Sequence, residues 1–450
     1  MSGHRVSRRV IAACGRAVVV WLAVGVISAA EHPLQADGLV AVTAAAAIWL
    51  ISLRTASAGA PFALGPWVPA GIGAVTGLVC VAAFNAYAPG PALSLTALAG
   101  IALGVFLSSG TWDAVLERTA PRRVLVIGTD AVADVAAAAK RHPRLPFEIL
   151  GAAGAAPAAT APESHLEALS DVVAAQEPDV IVLSDERSCS EALERLLDMT
   201  DRRFRVAGLT SFYEYAFGWL PLEHLTPMWF LSLLHVRQRP GRRPSKRLFD
   251  IACAVLGLIV AAPLVPFIAL LVKTTRGPLL YRQVRVGEGG RHFTMYKFRS
   301  MPTDAERPGQ PIFAQANDPR ASAAGRFLRR AHLDEIPQLW NVLKGDMSIV
   351  GPRPERPEFV AMLEADVPFW SRRLLLKPGV TGWAQVRCGY ASDCATSAQK
   401  LSYDFWYMRH SSLAVDVAVC VRTALQMLEV VDPRRLLARR HRPTPEGPDG

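Results

Sequence analysis

Charge is scarce in this 450-residue chain: charged residues make up 20% of it, against 51% hydrophobic. With a positive mean hydropathy, that balance fits a membrane protein carrying soluble parts. Seven cysteines are scattered without a Cys-x-x-Cys. Cys388 and Cys394 lie close, but no His/Cys partner pattern follows, so a zinc site is excluded and all seven are read as thiols in a reducing or lipid setting. An intact G-x-x-G-x-x-G is missing, and so is a Tyr-x-x-x-Lys pair. Those absences count against a nucleotide-sugar epimerase or dehydratase. Acidic residues are outnumbered, which leaves a net charge of +10. Nucleic acid is one reading of a basic chain. The basic residues mostly flank apolar stretches, so a membrane surface and anionic phosphorylated substrates explain them better, and no nucleic-acid partner is expected.

What is present begins with four apolar segments, near 17–30, 39–53, 68–88 and 92–110. The first two are short against the ~20 residues a bilayer core asks for, and are expected to borrow flanking residues. A cleaved signal peptide is the alternative for the first. Arginines precede segment one, Arg54 lies between two and three, and Arg118, Arg122 and Arg123 follow four, while loops 31–38 and 87–91 hold no Lys or Arg. All basic loops fall on one side, so a cytoplasmic N-terminus and a cytoplasmic exit near 111 are expected.

Residues 120–236 alternate strand and helix signals. Val124–Gly128, Glu148–Gly151, Asp179–Leu183 and Phe204–Gly208 are the strand candidates, and Ala131–Lys140 a helix. This alternation predicts a doubly wound, Rossmann-like α/β domain. Its phosphate loop, starting at Gly128, keeps only the first glycine of G-x-G-x-x-G. The reading therefore favours a structural or regulatory domain over a dinucleotide site.

Leu248–Val272 is long and apolar enough to span, yet both flanks are basic: Arg242, Arg243, Lys246 and Arg247 before, Lys273 and Arg276 after. Pro263 and Pro266 interrupt it, and proline breaks a helix by removing a donor and clashing with the preceding turn. A re-entrant helix over 248–272, broken at Pro263 and returning to the cytoplasm, satisfies both facts; a kinked span is the alternative. Two alternating runs, Tyr281–Val286 and Phe293–Arg299, separated by Gly287–Gly290, predict a hairpin. Lys297 and Arg299 would share one positive face.

Asp334 and Glu335 stand side by side, with Arg329 and Arg330 just ahead of them. Adjacent buried carboxylates need a metal, cationic neighbours or a shared proton. Leu333, Ile336, Leu339, Trp340 and Leu343 predict a helix burying that face, with the pair near its start. The Gly351-Pro352-Arg353-Pro354 hook could bring Arg353 back toward the carboxylates. Acid pair, metal and arginine together suit phosphate chemistry.

These residues resemble the bacterial sugar transferases, the monotopic phosphoglycosyl transferases. The resemblance rests on Lys246 to Asp250, the Pro263 break, Arg282-Gln283-x-Arg285-x-Gly287, Tyr296 to Met301, Leu333 to Gln338 with Pro337, Asn341, Gly345 to Ser348, Gly351 to Pro354, and Lys377 to Trp383. It covers roughly 245–430, and the chain ahead resembles the long, exopolysaccharide-type members. The resemblance implies a four-helix transmembrane α-helical bundle over 1–115, the Rossmann-like domain over 120–236, an α+β catalytic domain over 245–430 and a basic tail over 431–450. It implies transfer of a sugar-1-phosphate from a UDP-sugar to undecaprenyl phosphate, with release of UMP and initiation of a lipid-linked glycan. Asp334 would be the nucleophile, forming an aspartyl phospho-sugar. Glu335, with Asp334, would hold Mg²⁺, or Glu335 would assist the second attack. Arg353, Lys297 and Arg299 would contact phosphate. Thr381, Gly382 and Gln385 are motif positions without assigned roles. The family setting is the bacterial cytoplasmic membrane, multi-pass, with the catalytic domain facing the cytoplasm and downstream glycosyltransferases as partners; a homodimer is left open. A non-catalytic scaffold and a glycosyltransferase releasing UDP are the competing readings.

Overall fold

The computed structural model describes residues 8–31, 36–58, 64–87, 93–119, 121–127, 129–141, 147–153, 171–183, 196, 204–225, 229–230, 242–274, 277–302, 305, 318–388 and 397–431. The chain forms two compact units, Met1–Gly218 and Trp219–Gly450.

The first unit opens with α1 (Arg8–Glu31), α2 (Ala36–Ala58), α3 (Trp67–Tyr87) and α4 (Leu95–Thr119). α1 and α2 extend beyond the short apolar segments 17–30 and 39–53, while α3 nearly coincides with 68–88. α1, α3 and α4 are long and apolar enough to cross a membrane, while the apolar run of α2 is Val42–Ser57. Val20, Val24, Trp49, Leu53, Ile101 and Val105 form their common core. The Trp49 indole N–H, which could not be left unpaired there, donates to the Ala74 carbonyl at 3.2 Å. Arg16 meets Asp113 with two bonds of 2.7 Å, tying α1 to α4.

After α4 come β1 (Arg122–Ile127), α5 (Thr129–Arg141), β2 (Phe147–Ala153), β3 (Val180–Leu183), β4 (Arg205–Gly208) and α6 (Leu209–Ala216). The sheet order is β2-β1-β3-β4, with every pairing parallel. β3 is buried along its whole length, as a strand covered on both faces must be. Gly128 and the stretch 154–163 lie outside the described residues.

The second unit starts at Trp219. Trp229 and Phe230 pack against Phe405, tilted and edge-on, at centroid distances of 5.6 and 5.5 Å, and Phe230 packs on Phe369 at 4.9 Å. Aromatic burial assigns this run to the domain that follows it, information the local sequence does not carry.

In the second unit, α7 (Arg242–Ala261) passes through a 3-10 turn at Ala262–Leu264 into α8 (Val265–Lys273). The break falls at Pro263, as its missing donor requires. Both ends are bound to the same domain. Asp250 accepts from the Ser348 hydroxyl and the Ile349 N–H, both at 3.0 Å. Ile268 and Val272 pack with Phe298 and Leu328. Leu248, Leu256, Ile259, Val260, Phe267 and Leu270 stay exposed. The hairpin β5 (Leu280–Val286) and β6 (His292–Phe298) is antiparallel in full register. Then come α9 (Ala323–Arg330), α10 (Gln338–Lys344), β7 (Ser348–Val350), α11 (Pro357–Asp366), β8 (Gly379–Thr381), α12 (Trp383–Cys388), α13 (Ser397–His410) and α14 (Leu413–Val431). β7 pairs parallel with β8. The basic tail over 432–450 lies outside the described residues.

Candidate active site

Ser322 caps α9, its hydroxyl accepting from the Gly325 N–H at 2.9 Å. The helix ends at Arg330, and His332 adopts a left-handed backbone, φ 57°. A non-glycine residue pays strain there, and the chain reverses into a 3-10 turn, Leu333–Glu335. Leu333 and Ile336 pack into the Ile268, Val272, Phe298 and Leu328 cluster. Asp334 and Glu335 are themselves buried. The pair thus sits in the turn before α10, not inside a helix.

The expected apolar face of that helix is also corrected. Gln338, Asn341 and Val342 are the buried side chains of α10, while Trp340 is 56% exposed. Asn341 supplies the reason. Its side chain accepts from the Tyr296 N–H at 3.1 Å and donates to the Thr294 carbonyl at 2.7 Å. It occupies β6 backbone groups as a neighbouring strand would, so burial costs it little. Gly345, at φ 91°, then ends α10 in the left-handed region open to glycine.

Two cations converge on Glu335. Lys297, from β6, reaches its Oε1 at 2.7 Å, and Arg353 at 3.0 Å. Arg353 is placed by interlocked backbones. The Gly351 N–H donates to Thr381 O and the Gly379 N–H to Pro352 O, both at 2.9 Å. A Cβ at Gly351, Gly379 or Gly382 would collide with the opposing main chain, so these glycines permit the approach. Arg285 donates to Pro354 O at 3.0 Å and to the Gln283 side-chain oxygen at 2.5 Å. Arg285 and Gln283 therefore shape the hook. Arg282 lies over the Tyr296 ring, 5.9 Å from its centroid.

Arg299 is a correction. Its N–H donates to Leu279 O at 3.1 Å, one step past the last ladder pair, and it lines the cleft, but its side chain is held by other partners. Its buried guanidinium donates to the carbonyls of Pro278 at 2.8 Å, Val272 at 3.2 Å and Gly277 at 3.3 Å. Its bonds hold the end of the broken helix. The reading of seven thiols is corrected as well: Cys388 is disulfide-bonded.

The electrostatics divide the pair. Burial pushes the Asp334 carboxyl up to about 6; Glu335 pushes the same way, while Lys297, Arg353 and Arg329 pull it back. Burial would also raise Glu335, but Lys297 and Arg353 outweigh it and hold Glu335 well below the usual carboxylate range. Burial lowers the Lys297 ammonium, opposed by Glu335. Among the described residues Asp334 has no hydrogen bond or ion pair, so its oxygens keep their lone pairs for another partner.

A cleft of about 1380 Å³ is lined by Lys297, Asp334, Glu335, Arg353, Arg282 and Gln385, among others. Gln338, Asn341 and Pro337 are not among its lining residues; they act behind it. His332 lines the cleft too, and sequence reasoning missed it, since a left-handed histidine has no local signature. Asp404, sealed against Arg373 at 2.6 Å, was not given a role either.

Residues 241–430 match the model of the bacterial sugar transferases. A UDP-N-acetylgalactosamine-undecaprenyl-phosphate N-acetylgalactosaminephosphotransferase of Aeromonas hydrophila is 40% identical over 46% of this chain and 50% of its own. An undecaprenyl-phosphate galactose phosphotransferase of Salmonella typhimurium is 37% identical over 47% of this chain and 48% of its own. An exopolysaccharide production protein of Rhizobium leguminosarum is 38% identical over 41% of this chain and 94% of its own. The chain spans about half the length of the first two relatives and nearly all of the third. It belongs to the bacterial sugar transferase family.

Proposed function

We propose that the chain transfers a sugar-1-phosphate from a UDP-sugar to undecaprenyl phosphate, releases UMP, and so initiates a lipid-linked glycan of the exopolysaccharide kind. The observation that carries this is the unequal acidic pair: Glu335 is neutralised by Lys297 and Arg353, while Asp334, buried beside it, is unbonded among the described residues. A carboxylate needs positioning rather than strong activation to act as a nucleophile. An Asp334 oxygen attacks the sugar-bearing phosphorus, and the phosphoanhydride bond to UMP breaks. The product is an aspartyl phospho-sugar. An oxygen of undecaprenyl phosphate then attacks the same phosphorus, the bond to Asp334 breaks, and the carboxylate is restored. Lys297 and Arg353 offset the charge that grows on the phosphoryl oxygens at each transition state. Arg285, Gln283 and Asn341 hold those groups in place.

The all-oxygen donor set suits Mg²⁺, which needs few protein ligands beside phosphates and water. Asp334 and Glu335 would hold it, and when bound it would add positive charge against the phosphates.

The membrane setting is part of the same reading. The basic loops favour a catalytic unit on the cytoplasmic side of a bacterial inner membrane, with α1–α4 as the multi-pass anchor. α7 and α8 form a re-entrant hairpin: basic flanks, a break at Pro263, both ends tied to one domain, and an apolar outer surface all favour it. The site then lies at lipid level, where a polyprenyl phosphate presents its headgroup. Downstream glycosyltransferases consume the product.

The test is purified protein in detergent with undecaprenyl phosphate and a panel of UDP-sugars. UMP release, abolished in Asp334→Asn, is expected. Release of UDP, or full activity of Asp334→Asn, would overturn the reading.

A further inference from the structure

The cleft is strongly basic around the acidic pair, but one flank is different. Thr381, Gln385, Thr423 and Gln426 line it with neutral polar groups. Thr381 and Thr423 satisfy each other across 2.7 Å, and Gln426 donates to the Val386 carbonyl at 2.9 Å. Gln385 donates its amide N–H to the Val380 carbonyl at 3.3 Å, yet its side-chain oxygen is buried and has no donor among the described residues. A shielded carbonyl without a donor is costly, and recovers that cost when a ligand brings an N–H or O–H. This flank is mechanically continuous with the phosphate end, since Gly351 N–H bonds to Thr381 O two residues before Arg353. A ligand with its diphosphate at Arg353 would extend its uncharged part along α12.

We propose that Gln385 is the acceptor of a neutral recognition subsite for the uncharged, donor-bearing part of the nucleotide sugar. This rests on the transferase reading for the ligand class. The donor is either the uracil imide N–H or a sugar N–H or O–H. Gln385 thereby sets donor affinity and not the chemical step.

The test uses full-length protein in detergent and calorimetric titration of UMP, UDP-glucose and UDP-N-acetylgalactosamine into Asp334→Asn and Asp334→Asn/Gln385→Met, where the sugars bind without reacting, with kcat read on Gln385→Met alone; methionine keeps length and removes the acceptor. Loss of one hydrogen bond predicts affinity about tenfold weaker, with kcat at saturating donor changed less than about twofold. Equal loss for UMP and both UDP-sugars assigns the acceptor to uracil. Loss confined to the UDP-sugars assigns it to the sugar. Unchanged affinity for all three in a double variant with the thermal midpoint of Asp334→Asn overturns the inference. So does a fall in kcat with no change in affinity. Failure of the transferase reading would appear elsewhere, as wild type that releases no UMP, and the binding titration stands independently of it.

Discussion

Asp334 and Asp404 are both buried in the unit that begins at Trp219, and burial raises the carboxyl of each above its ordinary value. Their bonding separates them. Asp404 is gripped by Arg373 through two bonds of 2.9 and 2.6 Å, and Arg373 in turn lies over the Trp370 ring, 4.5 Å from its centroid. Every strong interaction there is internal. Around Asp334 the cations are bonded instead to Glu335, and the aspartate faces an open cleft. On the proposed function, the difference separates a structural acid from a reactive one: the first is saturated by the fold, the second is desolvated but left unsaturated. A third group, Asp250 and Asp416, falls on the structural side. Lys246 pairs with both, at 3.1 and 3.0 Å, and Tyr407 donates to Asp416 at 2.6 Å.

Substitutions sharpen that contrast. Asp334→Asn should lower turnover by about 10⁴-fold or more, since it removes the proposed nucleophile. It should also raise the thermal midpoint at pH 7.5. The sign follows from the raised carboxyl: ionisation costs more in the folded than in the unfolded chain, so wild-type stability falls as pH rises from ~4 towards ~6 and stays lowered above. The two proteins should converge near pH ~4. Asp404→Asn should do the opposite: its raised carboxyl carries the same ionisation cost, but loss of the counter-charge leaves Arg373 buried and unpaired, which outweighs it and costs about 3–5 kcal/mol of stability, read as a lower unfolding midpoint in detergent. A variant with unchanged midpoint would break the comparison.

Lys297→Met should reduce kcat by roughly 100-fold by removing one cation from the phosphoryl transition state, with a smaller change in stability. The wild-type pH profile of kcat/KM should fall about tenfold per unit below the Asp334 value, which burial places at about 6. A flat profile from about pH 5 to about pH 7 would show that Asp334 ionisation is not required. The smallest effect belongs to the anchor of α7. Ser348→Ala removes the hydroxyl bond to Asp250 and should cost about 1 kcal/mol, with catalysis nearly intact.

Much of this was legible in the sequence, for local reasons. The Pro263 break follows from one ring and its missing N–H. The hairpin follows from period-two alternation around glycines, and the acidic pair with its basic partners Lys297 and Arg353 follows from charge and the hook. Other features depended on tertiary partners. Arg299 looked like a twin of Lys297 until the carbonyls of Val272, Gly277 and Pro278 claimed its guanidinium. The apolar spacing of Leu339, Trp340 and Leu343 pointed inward, but Asn341 found strand backbone to bond, and the polar face became the buried one. Trp229 and Phe230 read as the end of one domain and pack as the start of the next.

The central claim is that Asp334 is left unsaturated in order to carry the sugar phosphate. The direct measurement is to mix full-length enzyme with a UDP-sugar labelled in the sugar, without undecaprenyl phosphate, and to quench and digest it for mass spectrometry. The account predicts UMP released in amounts comparable to the enzyme, and a phospho-sugar adduct on the peptide containing Asp334 that disappears when undecaprenyl phosphate is added. UMP formed only when the lipid acceptor is present, with no adduct on any peptide, would contradict it.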